Sequence, residues 1–225
     1  MARFRGFGPK ALPFFKGLAF HQNKTWFDEN RALYESDARE PMVALIEDLT
    51  EAFAKRKIPL KGDGKRSIFR INRDIRFSKD KSPYKTHMGA VMTRSGDKNE
   101  PGLLYIHISP DGCFAAAGFY GPEPPELAKI RKAMQTKPAR FSTMVTALKK
   151  AGLEFSEYED QLTRVPRGFE ALKDGPLDVP IRMKSFIVEE AFADKVVMSP
   201  KLLGEIEDFA GRAMPLLKYG WEALG

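Results

Sequence analysis

SIFRINRDIRFSKDKSPYKTHMGAVMTRSGDKNEPGLLYIHISPDGCFAAAGFY, residues 67–120, is the stretch whose reading decides the fold. At its start Phe69, Ile71, Ile75 and Phe77 fall on one side of a period-two pattern, and Ile68, Arg70, Asn72, Asp74 and Arg76 on the other, which predicts a strand. Arg73 breaks the pattern by falling on the apolar side. A buried guanidinium is too costly alone, so it either meets a carboxylate or lies beyond the strand's end. Asn72 and Asp74 are poor strand formers, so two short strands joined by a bend over residues 72–74 is the rival reading. SKDKSPYK is a loop by composition, and Thr86–Thr93 predicts the next strand.

RSGDKNEPG then forms a polar connection to Leu103–Ile108 and Cys113–Phe119. These two runs flank SPDG, where proline and glycine suit a tight turn. In the usual register His107 would face Ala115 and Tyr105 would face Ala117, leaving room above the sheet beside a histidine and a tyrosine. Two small residues equally admit a packed helix.

Outward from this centre the spacing becomes helical. Leu12, Phe15 and Leu18 suggest a first helix shortened by Pro13; Thr25 with Asp28 suggests a capped start for a second; Leu45, Ile46, Leu49, Ala52 and Phe53 mark an amphipathic third after Pro41. Beyond Pro122, Leu127, Ile130 and Met134 and then Phe141, Met144, Val145 and Leu148 mark two more, the second stopped by Gly152. Leu153–Leu162 reads as a short edge strand. TRVPRGFEALKDGPLDVP is rich in turn formers, and Ser199–Pro200 opens a last long helix through Leu203, Ile206, Phe209, Ala210 and Ala213. The fold class is α+β: a single domain over residues 1–225, its mostly antiparallel sheet lying in residues 67–120 and covered by N- and C-terminal helices.

The composition narrows the function classes. Of 225 residues 43% are hydrophobic, enough for a substantial core. No run approaches the roughly 20 apolar residues that span a bilayer, and MARFRGFGPK lacks the apolar core of a signal peptide. One cysteine, Cys113, forms no internal disulfide, and three dispersed histidines form no recognisable metal set. A reducing cytoplasm is the expected location, with no membrane partner and no metal.

The charge is local. Residues 61–94 hold ten Lys/Arg against three Asp, and this surplus of seven equals that of the whole chain, which has 37 basic and 30 acidic residues. Arg70, Arg73, Arg76, Lys79, Lys81 and Lys85 are therefore candidate anion-binding residues, because the guanidinium fork matches phosphate or carboxylate and lysines add point charge. GDGK at residues 62–65 has the residue types of an anion nest. Arg164, Arg167, Lys173, Arg182 and Lys184 form a second basic feature, with Arg164 and Arg167 as its candidate anion-binding residues, in which VPRG, with Pro166 and Gly168, offers a rigid approach to an anion. A solvated charged face is the plain alternative in both places. Trp26, Tyr34, Tyr84 and Trp221 are candidate stacking platforms for bases.

His107, oriented by Asp74 or Asp111, and His87, close in sequence to Lys85, are the candidate proton-transfer residues. His21 reads as a helix-end residue and Cys113 as a buried thiol. Walker loops, dinucleotide-binding glycine patterns and HExxH helices are missing from the sequence, and it names no cofactor.

Four segments, GFGPKALPFFKGLAFHQNKTWFDENRALY, SIFRINRDIRFSKDKSPYKTHMGA, LYIHISPDGCFAAAGFYGPEPPEL and LTRVPRGFE, resemble the conserved-hypothetical family catalogued as domain of unknown function 2461. The resemblance covers nearly the whole chain. It implies a bacterial or fungal protein with no catalytic assignment to carry over. LKDGPLDVPIRMKSF, residues 172–186, departs from the His-Pro-containing segment that the family usually carries before Lys-Ser-Phe.

Together these features point to a phosphorylated or otherwise anionic small molecule bound in a basic pocket. Phosphoryl- or acyl-group hydrolysis or transfer, nucleic-acid binding, and a structural or interaction role are the alternatives. Enzyme activity, oligomeric state and convergence of the two basic stretches are left open by the residues alone.

Overall fold

A computed structural model describes residues 3–156 and 161–225. It is an α+β fold built on a four-stranded antiparallel sheet in the order β1 (Met88–Met92), β2 (Leu103–Ile108), β3 (Cys113–Phe119) and β4 (Phe186–Phe192). Three strands come from the central stretch. The fourth lies far outside it, in FIVEEAF, so the sheet is not confined to residues 67–120.

The packing divides into two compact units. One comprises residues 1–100, 104–115 and 190–209, and the other residues 101–103, 116–189 and 210–225.

In the first unit, α1 (Ala11–Phe20) carries Pro13 in its first turn, where the missing N–H costs nothing. Helix α2 (Lys24–Glu29) is capped by Asn23, not Thr25: the Asn23 side chain accepts the Trp26 N–H at 2.9 Å. α3 (Arg31–Tyr34) passes through a π turn, Glu35–Arg39, into α4 (Glu40–Lys55). That turn presents Asp37, whose carboxylate accepts the Lys10 N–H at the start of α1. Met42, Leu45, Ile46, Leu49 and Phe53 of α4 recur on one face and are buried.

β1 and β2 pair Met88 with Ile108, Ala90 with Ile106 and Met92 with Leu104, and all six side chains are buried. The intervening pairs, Gly89 with His107 and Val91 with Tyr105, therefore belong to the opposite face. This alternation positions the site.

In the second unit α5 (Pro124–Thr136) and α6 (Pro138–Lys150) follow β3, and Gly152 at φ +73° ends α6 as expected. Arg131 of α5 is buried and donates to the carbonyls of Ile181 (2.8 Å) and Met183 (3.1 Å) at the end of α7 (Asp178–Arg182). Part of the predicted edge strand at Leu153–Leu162, residues 157–160, lies outside the described residues. On either side of it, Ser156 donates its N–H to Ile187 at 2.8 Å and Gln161 bridges Met183, without a named strand. α8 (Asp194–Val197) and α9 (Lys201–Leu224) end the chain, with the Ser199 hydroxyl accepting the first N–H of α9.

Candidate functional site

The segment expected to be a strand over residues 67–77 is not one. It folds back on residues 83–91 through isolated bridges, Ile68 to Ala90 and Asn72 to Tyr84. The bond from Phe69 N–H to the Gly89 carbonyl (2.9 Å) adjoins the first bridge and that from Lys85 N–H to the Ile71 carbonyl (2.8 Å) the second. Beyond Asn72 the acidic side chains turn the chain: Asp74 accepts the Arg76 N–H, and Asp80 the Ser82 N–H. Ile68 and Ile71 are the buried positions, whereas Phe77 is 94% exposed and Phe69 36%. The predicted apolar face thus dissolves, because local Asx turns outcompete pairing in a polar sequence.

These turns also decide which cations stay uncompensated. Arg73 pairs with Asp80, the carboxylate partner its position required. Hydrogen bonds from Ser82, then Arg73, hold the Asp80 carboxyl down to about 2. Arg76 forks onto both oxygens of Asp74 at 2.9 and 2.7 Å and lies over the Phe77 ring. Lys81 donates to the Ile75 carbonyl, and Lys79 is exposed. The expected nest at GDGK is filled from within, since Asp63 accepts the N–H groups of Lys65 (2.9 Å) and Arg66 (2.8 Å). Likewise Glu170 takes the Gly168 N–H of VPRG, in the second unit, where Arg164 and Arg167 are exposed.

Arg70, Lys85 and Lys98 differ. Among the described residues none of them forms an ion pair. The ammonium groups of Lys85 and Lys98 lie 5.3 and 5.1 Å from the centre of the same Phe69 ring. Lys98 also donates to the Ile68 carbonyl at 2.8 Å. Burial, then the positive charges of Arg70 and Lys98, lowers the Lys85 pKa, and burial lowers that of Lys98. Three like charges are held together at an electrostatic cost that an anion would relieve. Lys98 lies in RSGDKNEPG, a polar connection in which no sequence pattern marks it for a site.

Next to this cluster stand the two histidines, on the face opposite the core. Their rings are 4.5 Å apart. The Tyr105 hydroxyl lies 2.9 Å from Nδ1 of His107, so Tyr105, not Asp74 or Asp111, orients that ring. Burial, then His87, holds His107 down to about 4, with Asp111 opposing. Burial, then Lys85, lowers His87, and burial raises Tyr105 to about 12. With phenol and imidazole both neutral, either the hydroxyl or Nδ1 is the donor, according to the imidazole tautomer.

The hairpin places a side chain other than Ala115 against His107. The SPDG turn closes with the Gly112 N–H on the Ser109 carbonyl at 3.2 Å, and the Phe114 ring stacks on His107 at 4.7 Å. A phenylalanine thus fills the space that was assigned to Ala115. Cys113 is a buried thiol, its Sγ 3.4 Å from the Ser109 carbonyl oxygen, and burial pushes its pKa up. His21 stacks on Trp26 at 5.3 Å. Tyr34, Tyr84 and Trp221 are buried in the core and offer no stacking platform.

A cleft of about 500 Å³ in the first unit is lined by Gln22, Arg73, Asp80, Lys85 and His87 among others. A larger one of about 710 Å³, in the second unit, is walled by Phe141, Leu148, Leu153, Phe155 and Leu177 and carries none of the candidate residues. Among the described residues there is no cluster of three or more His, Cys, Asp or Glu that could hold a metal, and no helix long and apolar enough to cross a membrane.

An α+β protein in which Arg70, Lys85 and Lys98, without ion-pair partners among the described residues, adjoin a histidine–tyrosine cluster is the class that fold and site define. The chain belongs to the family described as conserved hypothetical protein (DUF2461), whose sequence profile matches residues 10–219. No curated protein and no solved structure matches it.

Proposed function

We infer that the chain binds a phosphate-bearing or similarly anionic small molecule at Arg70, Lys85 and Lys98. The observation that carries this reading is the pair of half-buried ammonium groups set against one phenyl ring without a carboxylate partner, beside an arginine that also lacks one. Arg73 and Arg76, which carry their own aspartates, support the loop. An arriving anion would offset the mutual repulsion that depresses Lys85.

Calorimetric titration with orthophosphate at low ionic strength tests this. Saturable binding that Lys85→Gln with Lys98→Gln weakens about tenfold or more is expected. Heat that stays at the dilution level, or affinity unchanged in the double variant, removes the reading.

A second reading, hydrolysis or transfer at a phosphoryl or acyl centre, draws support from His87, which lines the same cleft as Lys85 and touches His107. A neutral imidazole beside bound anion can accept a proton from an attacking water while the cations stabilise developing oxyanion charge. Loss of turnover in a folded His87→Gln protein that still binds orthophosphate is its test.

A further inference from the structure

The aromatic rings beside the cations form a pattern of their own. The buried partners Met88, Ala90, Leu104, Ile106 and Ile108 take the core face of the sheet, and the opposite face carries Tyr105 and His107, with Phe114 stacked on His107 and tilted against Tyr105, and Phe69 from the bridged segment alongside. The rings follow one another: Phe69 to Tyr105 at 6.3 Å, Tyr105 to Phe114 at 6.0 Å, Phe114 to His107 at 4.7 Å and His107 to His87 at 4.5 Å. None is fully buried, and neighbouring ring planes are inclined by 20 to 60°, so the row is a stepped shelf with part of its surface open to solvent. Gly89 lies beside it, and the absence of a side chain there lets the Tyr105 ring come close to the backbone of β1.

An inorganic anion would use the cations and leave this shelf wet. A planar heterocycle joined to a phosphate uses both, because stacking on aromatic side chains and pairing of phosphate with Arg and Lys are the two contacts by which unpaired nucleotides are held. We propose that the ligand is a nucleoside phosphate, its base on the shelf formed by Phe69, Tyr105, Phe114 and His107 and its phosphate against Arg70, Lys85 and Lys98. This rests on the anion-binding reading above and adds the chemical class of the ligand. A free mononucleotide and the phosphorylated end of a single strand share that chemistry.

The test compares orthophosphate, ribose 5-phosphate and the four mononucleotides AMP, GMP, CMP and UMP by calorimetry on the full chain at constant ionic strength. At least one nucleotide is expected to bind about tenfold more tightly than ribose 5-phosphate, the scale of one base–aromatic stack. Phe114→Leu should bring that nucleotide to within about twofold of ribose 5-phosphate while leaving ribose 5-phosphate binding unchanged. Four nucleotides no tighter than ribose 5-phosphate overturn the proposal and leave the anion site standing, and this arm needs no variant to fold. No binding of any probe, orthophosphate included, overturns both readings. A concentration-dependent dimer that Phe114→Leu dissociates would assign the shelf to a second copy of the chain and overturn the nucleotide. Competition by a short 5′-phosphorylated oligonucleotide against its 5′-hydroxyl counterpart separates the two sources: preferential displacement by the phosphorylated strand supports a strand end, and no displacement by either supports the free nucleotide.

Discussion

The Tyr105 hydroxyl reaches Nδ1 of His107, 2.9 Å away and two residues along the same strand, by passing over the backbone of Gly89 on the neighbouring strand. A Cβ at residue 89 would stand 2.6 Å from that hydroxyl, too close for both to keep their places. Gly89→Ala should therefore displace the Tyr105 ring, break its bond to His107 and cost about 1–2 kcal/mol, as small overpacking does. Urea unfolding measures the cost, and the His107 ring resonances report the bond. An unchanged His107 spectrum in this variant would show that the ring adapts without losing its partner.

The cations should separate into two groups in a binding experiment. Arg76 already has both Asp74 oxygens, so Arg76→Gln should change orthophosphate affinity by less than about twofold, while Lys85→Gln should weaken it about tenfold. Without ligand, Lys85→Gln should leave stability unchanged or raise it slightly, because it removes repulsion with Arg70 and Lys98. A titration and a denaturation curve on each variant check both halves. Equal loss of affinity in the two variants would return Arg76 to the site.

Stability should fall on acidification through the histidines. The His107 pKa is near 4 in the folded chain and 6.5 without its surroundings, so between those values the unfolded chain binds the proton and the folded chain does not. This penalty is absent above about pH 6.5 and grows as pH falls towards 4. His87, also lowered and in ring contact, acts in the same direction, and Asp111 opposes it at His107. The urea midpoint of the wild type should drop between pH 7 and pH 5 by more than that of His107→Gln. Parallel pH profiles would contradict the shift.

Arg131 is 8% exposed and donates to the carbonyls of Ile181 and Met183, two residues that are themselves buried. Replacing it with leucine leaves two carbonyl acceptors without their donor. We expect a loss of about 3 kcal/mol, read from the urea midpoint, because each orphaned buried group costs roughly 1–3 kcal/mol. A loss under about 1 kcal/mol would mean that water replaces the guanidinium.

Strands β3 and β4 and helix α9 each contribute residues to both compact units. We propose that the units unfold as one, since neither can melt without breaking elements of the other. Calorimetry should give a single transition with equal calorimetric and van't Hoff enthalpies. Two resolved transitions would make them separate domains.

Much of the architecture was legible in the residues. The helices followed their apolar spacing, Gly152 ended its helix, and the SPDG hairpin formed where proline and glycine placed it. β4 escaped notice: FIVEEAF follows a turn-rich segment, and nothing local reveals that distant chain will supply its partner. The error over residues 67–77 had the opposite cause. Its alternation was real as a pattern, but Asp74 and Asp80 form turns and ion pairs at short range that a strand would forbid.

For the site, the sequence by itself determined that one basic window holds a surplus equal to the whole chain's, that His87 lies within it and that His107 follows it along the chain. It determined the residue types, and so the expectation of an anion site. Only the tertiary structure decided which cations remain available. Neutralisation depends on distances across the fold, and these leave Arg70 and Lys85 unpaired, bring in Lys98 from the far side of β1, and retire Arg73 and Arg76 to aspartates within their own loop. The same holds for the aromatic shelf. Phe69, Tyr105 and Phe114 are far apart along the chain, and they meet because strand pairing converts alternation along each segment into adjacency across the sheet.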